Sequence, residues 1–389
     1  MLQECFVEVF NKEPEVIYFS PGRINLIGEH IDYNGGLVFP CPITLGTYAA
    51  VARRDDKTVR CYSKNFEDLG IIEFNLDHLD YDKKDNWTNY AKGVAKFLLE
   101  KYPKINSGFD AVVYGNIPNG SGLSSSASLE LLIIQIFKSL FNLPITEVDA
   151  ALLGKKVENE YIGVNSGIMD QFAISLGKKD KAILLDCNSL DFTYIPVDMP
   201  TTKIVIMNTN KRRELADSKY NERRAECESA LAKLQSKVNA ENLCEIDLAD
   251  LKANKDLLTE NEYKRACHAI TENIRTKASA EAFKNNDLVE FGKLLNASHK
   301  SLKEDYEVTG IELDTLVAAA QEQPGTLGAR MTGAGFGGCS LAIVENDKIE
   351  AFVENVGKAY LDKIGYAADF YIAKIGDGPT KVEDTKNII

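Results

Sequence analysis

A two-domain α+β fold is what the sequence predicts, and three observations carry the expectation. The opening is rich in strand-like runs broken by Gly and Asn turns. A polar Gly/Ser turn at 115–127 separates a strand-like run from a long apolar helical one. After residue 196 the order strand, helices, strand, helix, strand suggests a split βαβ, ferredoxin-like second domain with inserted helices. A chain of 389 residues has room for two domains. We place the boundary at 196, giving 1–195 and 196–389.

In chain order, 16–19 is a short apolar strand. It runs into 20–36, a polar stretch that carries Ile24, Leu26 and Ile27 at buried-type spacing. Asn34-Gly35 signals a hairpin turn. The runs 37–43 and 47–52 read as strands, 53–57 as a turn and 59–63 as a strand. Helical periodicity over 87–102 puts Tyr90, Val94, Phe97 and Leu98 on one face. The run 109–114, with Val112 and Val113, reads as a strand. The run 129–141 is apolar on nearly every face, with no Gly or Pro, and reads as a buried helix. Thr146 and Asp149 form a capping box for a helix reaching about 161 and carrying Glu158. Gly163 and Gly167 break it, and 169–176 is a short helix with Asp170 in its first turn. In the second half, 204–207 is a strand and 216–302 is charged and helical. A Gly-rich turn precedes the apolar strand 340–344, followed by a helix at 347–361 and a strand at 370–375.

Bulk properties exclude some functions. Hydrophobic content of 44% and charged content of 26% are ordinary for a soluble globular protein. A net charge of −13 argues against nucleic acid as a partner, though not against a small anion. The eight cysteines contain no Cys-x-x-Cys pair, and the four histidines complete no zinc spacing. Free thiols in a reducing compartment fit best. No signal-peptide pattern or bilayer-length apolar run is seen, so a cytoplasmic protein with no membrane partner is expected.

The turn before 129–141 delivers backbone to a helix N-terminus, where unpartnered N–H groups and the macrodipole stabilise phosphate. Gly120 and Gly122 permit close approach. The hydroxyls of Ser124, Ser125 and Ser126 suit phosphate or Mg²⁺. A plain turn with a serine cap is the simpler alternative. It is not a Walker A loop, because no Gly-Lys-Ser/Thr follows. Gly333-Ala334-Gly335-Phe336-Gly337-Gly338 fits G-x-G-x-x-G by letter, but a strand-like run follows where a dinucleotide fold needs a helix. A structural turn and a phosphate-side loop stay equally open there. Asp170 is either a helix cap or a proton acceptor. Arg23 is either a fixed charge for a phosphoryl group or a surface ion pair. Glu29, His30 and Asp32 form a polar loop or a hydrogen-bonding set for a polyhydroxylated ligand. Glu158 is a solvated helix residue or, with Ser126, a Mg²⁺ ligand.

Four segments taken together resemble one family. Pro21-Gly22-Arg23-Ile24-Asn25-Leu26-Ile27-Gly28-Glu29-His30-Ile31-Asp32-Tyr33-Asn34-Gly35-Gly36 resembles the galactokinase signature, and 117–128 resembles the phosphate loop of the GHMP kinases. Gly167-Ile168-Met169-Asp170-Gln171-Phe172 is similar to the galactokinase catalytic segment, and 328–339 to the third GHMP motif. The resemblance implies a GHMP kinase fold with the active site in the cleft between the domains. It implies transfer of the ATP γ-phosphoryl group to the anomeric hydroxyl of galactose, with Mg²⁺ and with sugar and ATP as small-molecule partners. By that likeness Asp170 is the base or orienting carboxylate, and Arg23 stabilises the phosphoryl charge. Glu29, His30, Ile31, Asp32, Gly167 and Tyr220 would line the sugar, Tyr220 through the segment 218–224. Gly120, Ser121, Gly122, Leu123, Ser124, Ser125 and Ser126 would wrap the phosphates, and Ser126 with Glu158 would bind the metal. Ser63, Trp87 and Tyr90 resemble positions near the nucleotide base. A monomer is expected. Ile31 stands where the family usually has threonine, which bears on sugar choice, and Ala334 replaces a frequent glycine. A kinase for a related sugar such as N-acetylgalactosamine is the alternative. A non-catalytic sugar and ATP sensor ranks lower, since Ser126-Ala127, Asp170 and Arg23 are intact.

Overall fold

The strand-forming runs Val16–Asn25, Pro40–Arg53, Thr58–Ser63 and Phe109–Gly115 meet in one sheet, seen in a computed structural model that describes residues 2–118, 120–211 and 216–383. An amphipathic helix, α1 (Leu2–Phe10), precedes β1 (Val16–Asn25). Then come β2 (Leu37–Val38), β3 (Pro40–Arg53), β4 (Thr58–Ser63), β5 (Ile72–Asn75), α2 (Asn89–Lys101) and β6 (Phe109–Gly115). Helices α3 (Ser125–Leu140), α4 (Glu147–Lys156) and α5 (Met169–Ser175) follow, then β7 (Lys181–Asp186) and β8 (Phe192–Pro196). The second half holds β9 (Thr202–Asn208), α6 (Ala216–Leu234), α7 (Leu248–Ala253), α8 (Glu260–Lys284), α9 (Leu288–Glu304) and α10 (Gly310–Gln321). It ends with β10 (Thr326–Thr332), β11 (Cys339–Glu345), α11 (Ile349–Ile364), β12 (Asp369–Ile372) and β13 (Thr380–Lys381).

The first sheet has the order β13-β1-β3-β6-β4-β5, and the second β10-β11-β9-β12. In the second, β9, the helices, β10, β11, α11 and β12 follow one another, and every pairing is antiparallel. That is the ferredoxin-like arrangement expected, with α6 to α10 filling the first crossover. A third, small sheet is β2-β7-β8. Helix α3 lies on the first sheet with Leu131, Leu132, Ile133, Ile134, Ile136 and Phe137 all buried, which is why its sequence is apolar on every face. The Thr146–Asp149 capping box is present on α4.

Some boundaries differ from the sequence reading. The two strands expected at 37–43 and 47–52 are instead the two-residue β2 and the unbroken β3. Gly46 makes no turn: it lets β3 pass the Ser20 carbonyl at the register shift after Pro21, a bulge where a Cβ would collide. Helix α3 begins at Ser125 rather than 129. Trp87 lies in a 3-10 turn before α2, and α4 closes through one wider π turn, Val157–Ile162, which carries Glu158. The last expected strand stops at Ile372. Helices α1 and α10 and strands β5, β7, β8, β10 and β13 had not been foreseen. No helix among the described residues is long and apolar enough to cross a membrane.

Candidate active site

The serine-rich turn between β6 and α3 is the meeting point of the other motifs. Its backbone doubles back through positive φ at Gly120 (68°), Gly122 (75°) and Ser124 (65°). A Cβ on Gly22 would stand 2.7 Å from the Leu123 carbonyl, and one on Gly333 2.8 Å from the Gly122 carbonyl. The backbone of Arg23 donates to Leu123 O (3.1 Å) and its Nη1 to Gly122 O (2.7 Å). The Gly333–Gly338 turn therefore packs on the serine loop, which favours the phosphate-side reading. Ser124 makes no helix-capping side-chain bond; its hydroxyl donates to Asp170 Oδ2 at 2.5 Å. The Ser121 hydroxyl is buried and has no hydrogen-bond partner among the described residues. Leu123 is buried in the core, so only its backbone faces the turn. Asn119 lies outside the described residues.

Asp170 and Arg23 form a bidentate pair: Nε donates to Oδ1 and Nη2 to Oδ2, each at 2.8 Å. The Arg23 side chain is 5% exposed, so it is not a surface ion pair, whereas Asp170 is 31% exposed toward a cavity. Nor does Asp170 cap α5, whose N-cap is Ile168 without a side-chain bond.

That cavity, of about 300 Å³, is lined by Arg23, Glu29, His30, Asp32, Glu158, Gly167, Asp170 and Tyr220 among others. Ile31 does not line it. Its side chain is fully buried in an apolar cluster with Val38 and Ile168, where burial favours it. His30 borders the cavity, but its ring nitrogens are engaged: Nε2 lies 3.1 Å from the Ala334 carbonyl and Nδ1 2.8 Å from the Tyr33 hydroxyl. A carbonyl only accepts, so Nε2 carries the proton and Tyr33 donates to Nδ1. Burial pushes this imidazole down to about 3, keeping it neutral. Its ring packs 5.5 Å from that of Tyr220. Glu29 is 1% exposed, and its Oε1 accepts from Gly333 N (2.7 Å) and Thr332 Oγ1 (3.1 Å) beside the Arg330 guanidinium (3.2 Å). Arg330, unassigned in the sequence reading, also donates to the carbonyls of Asn25 and Leu26. The Asp32 carboxylate sits against Gly167 so closely that any Cβ there would collide with it.

A second cavity, about 220 Å³, is lined by Ser63, Trp87, Tyr90, Ser125 and Ser126, all foreseen. Thr47, Asn65 and Phe66 also line it and were missed; adjacency to Ser63 was the available signal for the last two. Ser126 Oγ donates to Glu158 Oε1 at 2.8 Å, so the pair joins the two cavities. Glu158 is 7% exposed rather than solvated, and burial pushes its carboxyl up. No group of three or more His, Cys, Asp or Glu side chains suited to a metal occurs among the described residues. Two oxygen donors of this kind fit Mg²⁺, which completes its shell with phosphates and water.

The comparisons agree with this geometry. The galactokinase galactose-binding signature matches residues 4–53, the N-terminal domain of GHMP kinases 89–178, and their C-terminal domain 279–362. A galactokinase of Clostridium perfringens is 62% identical over 98% of this chain and 99% of its own length. One from Ligilactobacillus salivarius is 61% identical over the same shares. The crystal structure of Lactococcus lactis galactokinase complexed with galactose superposes with a TM-score of 0.96 at 53% identity, covering 98% of this chain and 99% of that one. Methanococcus jannaschii mevalonate kinase, at 21% identity and a TM-score of 0.66, shares the fold.

Burial, with Asp170 and Glu29 nearby, raises the Asp32 carboxyl from 3.8 to about 6. The folded protein thus holds a proton that the unfolded chain releases. This contribution to stability falls as pH rises from about 4 to about 6 and stays lost above. Asp32→Asn, which carries no charge to bury, should be about 3 kcal/mol more stable than the parent at pH 7, the gap closing near pH 4. Urea unfolding at both pH values checks this; a parent equally stable at pH 7 contradicts it.

Proposed function

The chain belongs to the galactokinase family of GHMP kinases, and on that premise we propose a division of labour among its site residues. The enzyme phosphorylates the anomeric hydroxyl of D-galactose with ATP as co-substrate, giving α-D-galactose 1-phosphate and ADP, the first step of galactose use through the Leloir pathway. Phosphoryl transfer demands positioning and charge neutralisation more than covalent chemistry. Asp170 takes the base or orienting role at the C1 hydroxyl, and Arg23 stabilises charge on the transferring group. Glu29, Asp32, Gly167 and Tyr220 line the sugar, with the His30 ring as a wall rather than a donor. The loop Gly120 to Ser126 wraps the phosphates through its amides and hydroxyls, and Ser63, Trp87 and Tyr90 border the base. Ser126 and Glu158 would hold Mg²⁺, which when bound neutralises phosphate charge. The observation that supports these roles best is the Asp170–Arg23 pair, exposed to one cavity and tied to the serine loop.

We further assign the protein to the cytoplasm as a monomer, with domains 1–195 and 196–389. The cut falls where β8 ends at Pro196, before β9 begins at Thr202. Strand β13 then returns to β1 of the first sheet. Galactose specificity over N-acetylgalactosamine is tested by coupled ADP release against a panel of hexoses and 2-amino hexoses.

In that assay Asp170→Asn should lower kcat by roughly 10²–10⁴-fold, the range of a general acid–base group, with the fold intact by circular dichroism. Near-parental turnover would refute its role. Glu158→Ala should raise the Mg²⁺ concentration for half-maximal rate roughly tenfold or more; an unchanged metal titration would remove it from the metal site.

A further inference from the structure

The loop that carries Glu29, His30 and Asp32 has one short 3-10 turn, Asp32–Asn34, between β1 and β2. Its backbone is bonded to α8, a helix inserted in the other half of the chain. His268 donates Nε2–H to the Glu29 carbonyl at 3.0 Å. Glu272 Oε1 accepts the Gly28 N–H at 3.1 Å, and Asn273 Oδ1 the Leu37 N–H at 2.8 Å. His268 and Glu272, at i and i+4, share one helix face and Asn273 flanks it, so one helix meets both ends of the loop. His268 and Glu272 are fully buried and are themselves held, His268 by Ser301 (3.0 Å) and Glu272 by Ser298 (2.6 Å) and Arg275 (2.7 Å). The fit has little slack: at Gly28, with φ of 102°, a Cβ would stand 2.7 Å from the Leu37 carbonyl and 3.1 Å from Thr276 Oγ1. None of the three side chains lines either cavity.

We propose that this face of α8 positions the sugar-binding loop, so that His268, Glu272 and Asn273 set galactose affinity without touching sugar or nucleotide. The inference rests on the assignment of Glu29 and Asp32 to the sugar. The serine loop is tied to Arg23 instead, so the effect falls on one substrate. The buried Gly28 amide-to-carboxylate bond is costly to leave unmade, because the orphaned amide keeps its desolvation penalty, and the part-buried Leu37 amide keeps a share of it.

Asn273 is half-buried, which makes it the most permissive of the three for replacement. Asn273→Leu removes the acceptor, while Asn273→Asp keeps an oxygen for the Leu37 amide. The leucine variant should raise the galactose KM roughly tenfold with the ATP KM within about twofold, and the aspartate variant should recover most of the loss. An unchanged galactose KM, or an ATP KM rising in step with it, would overturn the proposal. Should the leucine variant not fold, Asn273→Ala carries the same test. Asp32→Ala, measured alongside, separates the two readings. If it raises the galactose KM and Asn273→Leu does not, the positioning role alone fails; if neither does, the sugar assignment fails first.

Discussion

One charged pair organises this active site. Arg23 and Asp170 lie 147 positions apart in sequence, yet two parallel hydrogen bonds hold them together. The same guanidinium reaches the Gly122 carbonyl, and the same carboxylate takes the Ser124 hydroxyl. Three segments that share no secondary structure therefore keep one geometry. A half-buried pair of this kind contributes little net stability, because desolvation offsets much of the Coulomb attraction. Its value is directional: a planar fork fixes the orientation of the carboxylate. The cavity on one side and the serine loop on the other then have a defined relation to a single oxygen pair.

The two halves of the chain are joined by the same kind of bond. Glu29 in the first half accepts from Gly333 and Thr332 in the second, and Arg330 reaches back to the carbonyls of Asn25 and Leu26. These groups are almost wholly buried, so each bond must be made or its desolvation cost stays uncompensated. His30 shows what this costs in freedom. It sits at a positive φ of 62°, with both ring nitrogens engaged. Such strain in a non-glycine residue persists only where its surroundings over-determine it.

Much of this was legible in the sequence because the motifs are local. The serine loop, the apolar helix after it and the Thr146 capping box each fit within a few turns of chain, where period and composition speak directly. Asp170, Arg23, Glu158 and Ser126 were named as candidates, and the structure brings them together. Ile31 was misread because adjacency in sequence does not fix the direction of a side chain: its neighbours Glu29, His30 and Asp32 face the cavity, while it faces the core. The α8 residues gave no signal at all. Glu272 lies in a helix rich in charged residues and looks like one more solvated acid, yet it is fully buried. Short strands such as β5 and β13 were missed for a different reason: two to four residues carry too little alternation to distinguish them from a loop.

If Arg23 and Asp170 act as one unit, removing both should hurt little more than removing the worse one. Single-turnover phosphoryl transfer by Arg23→Met, Asp170→Asn and the double variant, read as a double-mutant cycle, measures this directly. The account predicts a double variant within roughly tenfold of the slower single. Losses that multiply would show two independent groups and contradict it.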